Sequence, residues 1–164
     1  VCACEYRGVV KNQILNYKFH GKKHLCKTFS RLLAEKLIEM TNPQTFDIII
    51  AVPLSPGRLE WRGFNQSELI AREMAEVLEV NFLPDLLIRT RETASQSTLK
   101  RNDRKRNIYC AFVKNEGLNI KGKNILIIDD ILTTGFTLDE CSRVLKEAGA
   151  NRIVVATVAT GTVQ

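Results

Sequence analysis

The sequence has no apolar stretch near the roughly 18–20 residues that a membrane-spanning helix needs, so no membrane span is expected. Histidine is scarce. His20 and His24 are the only two, they match no metal-site spacing, and surface positions are expected for both. Cysteine is present without a pairing pattern: Cys2, Cys4, Cys26, Cys110 and Cys141 are odd in number and form no disulfide framework. Cys2 and Cys4 lack the second pair that a four-ligand structural zinc site requires. A buried free thiol is the expectation for Cys141, which has apolar neighbours at helical spacing. The chain opens on Val1 with no charged-then-apolar leader, which reads as a processed or shortened chain. Unpaired thiols point to a reducing cytoplasm. No internal repeat, low-complexity tract or linker interrupts the 164 residues, and one domain over 1–164 is expected.

What is there is globular in composition, 45% apolar and 26% charged, which argues against a wholly disordered chain. The net charge of +6 is unevenly placed. Between Arg89 and Arg106 stand seven basic and two acidic residues, a net of +5, and the remainder is nearly neutral. The segment has little apolar content and reads as a long loop, a length that is usually functional or disordered.

Periodicity divides the rest. Helices are expected at 9–18, where Val10, Ile14 and Tyr17 recur, and at 24–40, with Leu25, Phe29, Leu32, Leu33 and Leu37 on one face. Another runs to about Glu79, capped by Asn65 or Ser67, and a last spans 137–148, stopped by Gly149. Buried strands are expected at 47–52 and 123–130, a shorter one at 111–113 and a last at 152–158, with 80–89 extended and 53–64 a loop. Apolar strands alternating with amphipathic helices give an α/β fold, a mainly parallel sheet flanked by helices.

The most informative stretch is Ile125 to Leu138, I-L-I-I-D-D-I-L-T-T-G-F-T-L. A buried strand delivers Asp129 and Asp130 to its carboxyl end, where open α/β sheets bind ligands. Thr133, Thr134, Gly135, Phe136 and Thr137 then lead into a helix, whose N-terminal N–H groups and partial positive charge favour a phosphate. Adjacent carboxylates would repel that phosphate; they suit sugar hydroxyls or a magnesium ion. The string describes a sugar phosphate site, and it is not the phosphate loop of G-x-x-x-x-G-K-[ST] spacing.

This string resembles the phosphoribosyl pyrophosphate motif of type I phosphoribosyltransferases. The resemblance implies that Asp129 and Asp130 hold the ribose hydroxyls and that Thr133 to Thr137 hold the 5-phosphate. Val52-Pro53-Leu54-Ser55-Pro56-Gly57-Arg58, Arg62-Gly63-Phe64-Asn65-Gln66, Tyr17-Lys18-Phe19-x-Gly21 and Asn107…Ala111-Phe112 resemble the ComF/ComFC branch, the competence-associated members. That branch commonly carries an amino-terminal zinc ribbon of two C-x-x-C pairs, which this sequence does not show, so zinc is not carried over. The resemblance implies that Pro53, Leu54, Ser55, Arg58 and Arg62 form a pyrophosphate loop. Magnesium would come with the ligand, with no direct protein ligand assigned. It also implies a mobile loop that closes over the site; the basic segment lies where such a loop would be, with Gln96, Arg101 and Arg104 as candidates, and the implied catalytic residues are Asp129, Asp130, Arg101 and Arg104. Lys18 is either a site contact or a solvated lysine, and Trp61 is expected to pack rather than stack on a base.

Three functions stay open. One is a phosphoribosyltransferase-like protein of natural competence and DNA uptake that transfers ribose phosphate to an unknown acceptor. Another is an accessory protein that binds single-stranded DNA through the 89–106 segment; this segment has no aromatic residue to stack bases. The third is a regulator that keeps the ligand site without turnover and contacts a competence helicase or recombination loader.

Overall fold

The structure, a computed structural model, describes residues 1–91 and 108–161. Five parallel strands form the main sheet in the order β1–β7–β6–β2–β3: β1 (Cys2–Glu5), β2 (Ile48–Ala51), β3 (Asn81–Phe82), β6 (Asn124–Leu132) and β7 (Arg152–Thr160). β4 (Leu87–Arg89) and β5 (Phe112–Lys114) form a separate antiparallel ribbon. The helices are α1 (Gly8–Phe19), α2 (Leu25–Met40), α3 (Pro56–Arg62), α4 (Gln66–Leu78) and α5 (Phe136–Glu147). Among the described residues no helix is long and apolar enough to cross a membrane.

The period-2 geometry of a strand sends neighbouring side chains to opposite faces, and here both faces are covered. Ile49 and Ala51 of β2, with Leu126 and Ile128 of β6, pack under α2 and α4 through Phe29, Leu33, Ile70 and Met74. Ile48, Ile50, Ile125 and Ile127 face the other way, against Leu138, Cys141 and Leu145 of α5 and against Leu87 and Phe112 of the ribbon. Cys141 is a buried free thiol, as expected. The register of Ile48 with Ile125 through Ala51 with Ile128 gives each central residue a partner beside it and a helix above it. Each such fully buried isoleucine contributes about 1.5–3 kcal/mol.

Three details differ from the sequence expectation. Residues 2–5 are a strand, on the sheet edge beside β7, too short for periodicity to reveal. The loop expected over 53–64 contains α3, started by Pro56 at its first position and ended by Gly63 at φ 75°. The strand bearing the acidic pair runs on to Leu132, held there by β7 alone. The extended stretch expected over 80–89 ends where expected: Arg89 is the last residue of β4 and is buried, its guanidinium 5.4 Å from the centre of the Phe112 ring.

From β2 the next strand, β3, lies on one side; from β6 the next strand, β7, lies on the other. α4 and α5 cover opposite faces. The connections therefore diverge between β2 and β6, the point at which open α/β sheets form a crevice beyond the strands' carboxyl ends.

Candidate functional site

The crevice opens because β2 stops pairing four residues before β6 ends. The last bond between them runs from the Val52 N–H to the Ile128 carbonyl, 3.0 Å. Pro53 then carries the chain away, and residues 129–132 keep only β7 as a neighbour. The result is a cleft of about 630 Å³.

Asp129 and Asp130 stand on its β6 wall. The Asp129 Oδ1 accepts hydrogen bonds from the Ser67 hydroxyl at 2.8 Å and from the Asp130 backbone N–H at 2.9 Å. Asp130 is buried and pairs with the Lys18 ammonium, Nζ to Oδ2 2.7 Å. Burial first, and then the charge of Asp130, push the Asp129 carboxyl up to about 7, against the opposing influence of Lys18, the Ser67 hydroxyl and the Asp130 N–H. One carboxylate has thus acquired a cation while its neighbour has not, so the two oxygens-rich groups differ in electrostatic character although they are adjacent in sequence.

After Leu132 the chain turns into α5. Gly135 takes φ 81°, a left-handed conformation that suits glycine, and its carbonyl accepts from the Asp139 N–H at 2.8 Å to begin the helix. Thr133, Gly135 and Thr137 line the cleft. The Thr134 Oγ1 is shut from solvent with no hydrogen-bond partner among the described residues. The Phe136 ring packs against the apolar cluster under α5, leaving its backbone N–H as the group it can offer a ligand. Thr134 and Phe136 are therefore not in the cleft lining, and the turn faces the cleft through Thr133, Gly135 and Thr137 at the N-terminus of α5, a kind of helix end that favours anions.

The opposite wall belongs to β2 and α3. Pro53, Leu54, Arg58 and Arg62 line it, whereas the Ser55 side chain is fully enclosed, its Oγ without a partner among the described residues. Arg62 lies 5.4 Å from the Phe19 ring centre and donates from Nη1 to Gln66 Oε1. Burial, reinforced by Arg58, lowers the Arg62 guanidinium below its ordinary value, while Asp130 opposes that shift. Trp61 does not pack as expected. It is 70% exposed at the cleft rim, its ring 6.0 Å from that of the half-exposed Phe19.

The segment Arg62 to Ser67 joins these walls. Asn65 caps α4 by accepting from the Ser67 N–H at 3.1 Å, and its Nδ2 donates to the Val52 carbonyl at 3.1 Å. The same residue thereby ties the end of β2 to the helix that presents Ser67 to Asp129. Of the two caps the sequence offers, Asn65 and Ser67, the structure uses Asn65 and leaves the Ser67 hydroxyl for Asp129. Tyr17, fully buried, donates to the Gln66 carbonyl at 2.8 Å and so fixes the last turn of α1, from which Lys18 reaches Asp130. Nothing in the spacing of residues 18, 67 and 129 signals this convergence; only the sheet order brings them together.

Gln96, Arg101 and Arg104 lie outside the described residues. Of the basic segment's described members, Arg89 lines the cleft from β4 and the Arg91 Nη2 donates to the Tyr109 carbonyl at 2.6 Å, across the ribbon. Among the described residues no group of three or more His, Cys, Asp or Glu side chains could hold a metal ion. The oxygen-rich acidic pair suits magnesium's donor preference, but it supplies too few ligands for a protein cage. A magnesium ion fits here only if a polyphosphate supplies most of its ligands.

A family model described as phosphoribosyl transferase domain matches residues 65–163. The DNA utilization protein YhgH of Escherichia coli (strain K12) is 33% identical over 158 residues, covering 94% of this chain and 69% of that protein. The competence protein ComFC of Streptococcus pneumoniae is 37% identical over 148 residues, covering 90% of this chain and 62% of that protein. The competence protein F of Haemophilus influenzae is 31% identical over 152 residues, covering 87% and 64%. Among solved structures, glutamine phosphoribosylpyrophosphate amidotransferase from B. subtilis superposes with a TM-score of 0.54 at 20% identity, covering 82% of this chain and 26% of that one. A hypoxanthine phosphoribosyltransferase from Staphylococcus aureus gives 0.51 at 18% identity, covering 83% and 63%. These two structures share the fold.

Proposed function

The chain belongs to the phosphoribosyl transferase domain family, and from that premise we propose that it binds phosphoribosyl pyrophosphate with magnesium and serves DNA uptake and transformation in the cytoplasm. One observation carries the reading: an acidic pair, a helix N-terminus and two arginines open into one cleft at the switch point of the sheet. Asp129 and Asp130 accept the ribose hydroxyls. The Thr133–Thr137 turn cradles the 5-phosphate with backbone N–H groups, Thr133, Gly135 and Thr137 facing the cleft. Arg58 and Arg62 face the pyrophosphate with charge-assisted bonds. Magnesium, when bound, neutralises charge on the polyphosphate. In transfer, an acceptor nucleophile bonds to the anomeric carbon as the bond to pyrophosphate breaks; these side chains position the sugar and stabilise the charge that collects on the leaving group. Arg101 and Arg104 are assigned the same task from the basic segment. The competence and DNA-utilization names of the relatives support the biological setting.

Isothermal titration with magnesium and phosphoribosyl pyrophosphate tests the binding. A single site that collapses in Asp129→Asn/Asp130→Asn is expected, and absence of binding by the unmodified protein refutes the assignment. Pyrophosphate release, screened over bases and amines, tests turnover.

A second reading, an accessory protein that contacts single-stranded DNA, is favoured by one observation. The exposed Phe19–Trp61 pair, with Arg62 against the Phe19 ring, offers at the cleft rim the stacking surface that the basic segment lacks. Fluorescence anisotropy with an oligonucleotide would show about fivefold or greater weakening in Trp61→Ala, from a stacking contribution of about 1–3 kcal/mol per base. Equal binding by the variant discards that role for the rim.

A further inference from the structure

Two carboxylates side by side at a cleft wall would ordinarily attract a divalent cation, since magnesium binds through one or two carboxylates plus phosphates and water. Here the protein has placed its own cation against them. The Lys18 ammonium is 2.7 Å from Asp130 Oδ2, and the two side chains are only 17% and 6% exposed. The ammonium is held in place from behind. Tyr17, the preceding residue, is fully enclosed, donates to the Gln66 carbonyl, and packs edge-on against Phe29 at 5.4 Å and tilted against Phe64 at 5.8 Å. Asp129, for its part, already receives the Ser67 hydroxyl and the Asp130 N–H on one oxygen. Arg58 and Arg62 line the facing wall.

We infer that Lys18 is a fixed counter-ion that bars a free divalent cation from the Asp129–Asp130 pair and reserves the pair for hydroxyl donors. A metal ion approaching Asp130 meets an ammonium already in contact with the carboxylate, and like charges at that range repel strongly in a partly buried site. A sugar hydroxyl carries no net charge, donates to a carboxylate oxygen, and does not have to displace the lysine. Lys18 acts through Asp130, so it is a positioning and specificity-determining residue. The inference rests on the reading that the cleft takes a sugar polyphosphate, and it specifies how the metal arrives: on the phosphates, after the sugar's hydroxyls select the pair. The sequence places Lys18 more than a hundred residues from the carboxylates, so this selectivity is a property of the fold.

The test is manganese binding to the ligand-free chain, read by electron paramagnetic resonance, with melting temperature followed in parallel. The unmodified protein and Lys18→Arg should show no saturable site up to about 1 mM, the weak end of the range for dedicated calcium sites. Lys18→Met should gain one manganese site at least about tenfold tighter, a change equal to 1.4 kcal/mol, and the site should vanish in Lys18→Met/Asp130→Asn. Lys18→Met leaves Asp130 without its cation and loses stability, so Lys18→Gln provides a second neutral variant; manganese should raise the melting temperature of both, because a ligand of the folded state stabilises it. The inference is overturned if the unmodified protein binds manganese as tightly as Lys18→Met. It is equally overturned if neither neutral variant gains a site or is stabilised by the metal. Failure of phosphoribosyl pyrophosphate to bind the unmodified protein would refute the sugar-polyphosphate reading instead, and it is scored separately from the manganese titration.

Discussion

The two walls of the cleft carry opposite charge and were built in opposite ways. The β6 wall is contiguous: Asp129 to Thr137 supplies the carboxylates, the turn and the helix N-terminus from nine consecutive residues. The facing side is assembled through space, from Arg58 and Arg62 on α3, Lys18 on α1 and Arg89 on β4. The contiguous wall can be recognised from its string because its chemistry and its backbone are one motif. The assembled wall depends on Asn65 tying α4 to β2 and on Tyr17 anchoring α1, so its cations acquire a shared purpose only in the folded chain. Under the proposed function, the acidic wall selects the sugar and the assembled wall meets the charge of its phosphates.

The sharpest break of this contrast is Asp130→Ala, which removes an acidic-wall group and strands a cation of the other side. Loss of a partner from a buried ion pair costs about 3–5 kcal/mol; Lys18 retains slight exposure, so about 3 kcal/mol is expected, measured by urea denaturation. Sugar-phosphate binding should fall below detection in the same variant. A smaller effect is expected from Arg58→Gln/Arg62→Gln, which removes charge from the assembled wall while leaving the β6 turn intact. Phosphoribosyl pyrophosphate affinity should drop by at least about tenfold, because hydrogen bonds to charged groups contribute about 1.5–3 kcal/mol, and calorimetry would show ribose 5-phosphate affected less than the diphosphate.

Gly135→Ala probes the turn by conformation. A Cβ there would meet nothing closer than Leu132 Cδ1 at 3.8 Å, so space is available, but φ of 81° is unfavourable for alanine. A cost of about 1–2 kcal/mol is expected, seen as weaker phosphate binding with a lowered melting temperature.

The smallest effect comes from Ser67→Ala, about 1 kcal/mol for one hydrogen bond, and its signature is in pH. Ser67 favours the charged form of Asp129, whose carboxyl is raised to about 7. Because the folded value lies above the unfolded one of about 3.9, the stability associated with protonated Asp129 is fully present below about pH 4 and is lost as pH rises through 7. Asp129→Asn should accordingly gain melting temperature over the unmodified protein as pH rises from 4 to 8. If hydroxyl binding needs the carboxylate, ligand affinity should increase from pH 6 to 8 and protons should be released at pH 6.5, detectable from the buffer dependence of the calorimetric heat. Ser67→Ala should move both transitions to higher pH.

Much of the fold was legible in residues alone. The β-branched runs at 48–52 and 125–128 and the Leu and Ile stripes of α2, α4 and α5 carry their own periodicity, and the parallel sheet follows from their alternation. The D-D-x-x-T-T-G-x-T string placed one side of the cleft. Three things were not legible for physical reasons. A four-residue edge strand such as β1 has too few alternations to register. α3 is encoded by its Pro56 start and Gly63 stop within a Pro/Gly/Arg stretch that otherwise resembles a loop. Ser67 and Arg89 carry no local mark of their roles, because a serine in a first turn and an arginine in a strand are each ordinary; Lys18 is marked only within the Tyr17-Lys18-Phe19-x-Gly21 string, and its partner Asp130 is set by the fold. Exposure was equally hidden: the lone tryptophan has the composition of a core residue and the position of a rim residue.

A crystal structure of the protein with magnesium and phosphoribosyl pyrophosphate tests the central claim most directly. The account predicts ribose hydroxyls within hydrogen-bond distance of Asp129 and Asp130, the 5-phosphate on the Thr133–Thr137 turn, the diphosphate toward Arg58 and Arg62, and Lys18 still against Asp130. A ligand bound with its phosphates on the acidic wall, or a magnesium ion seated between Asp130 and a displaced Lys18, would contradict it.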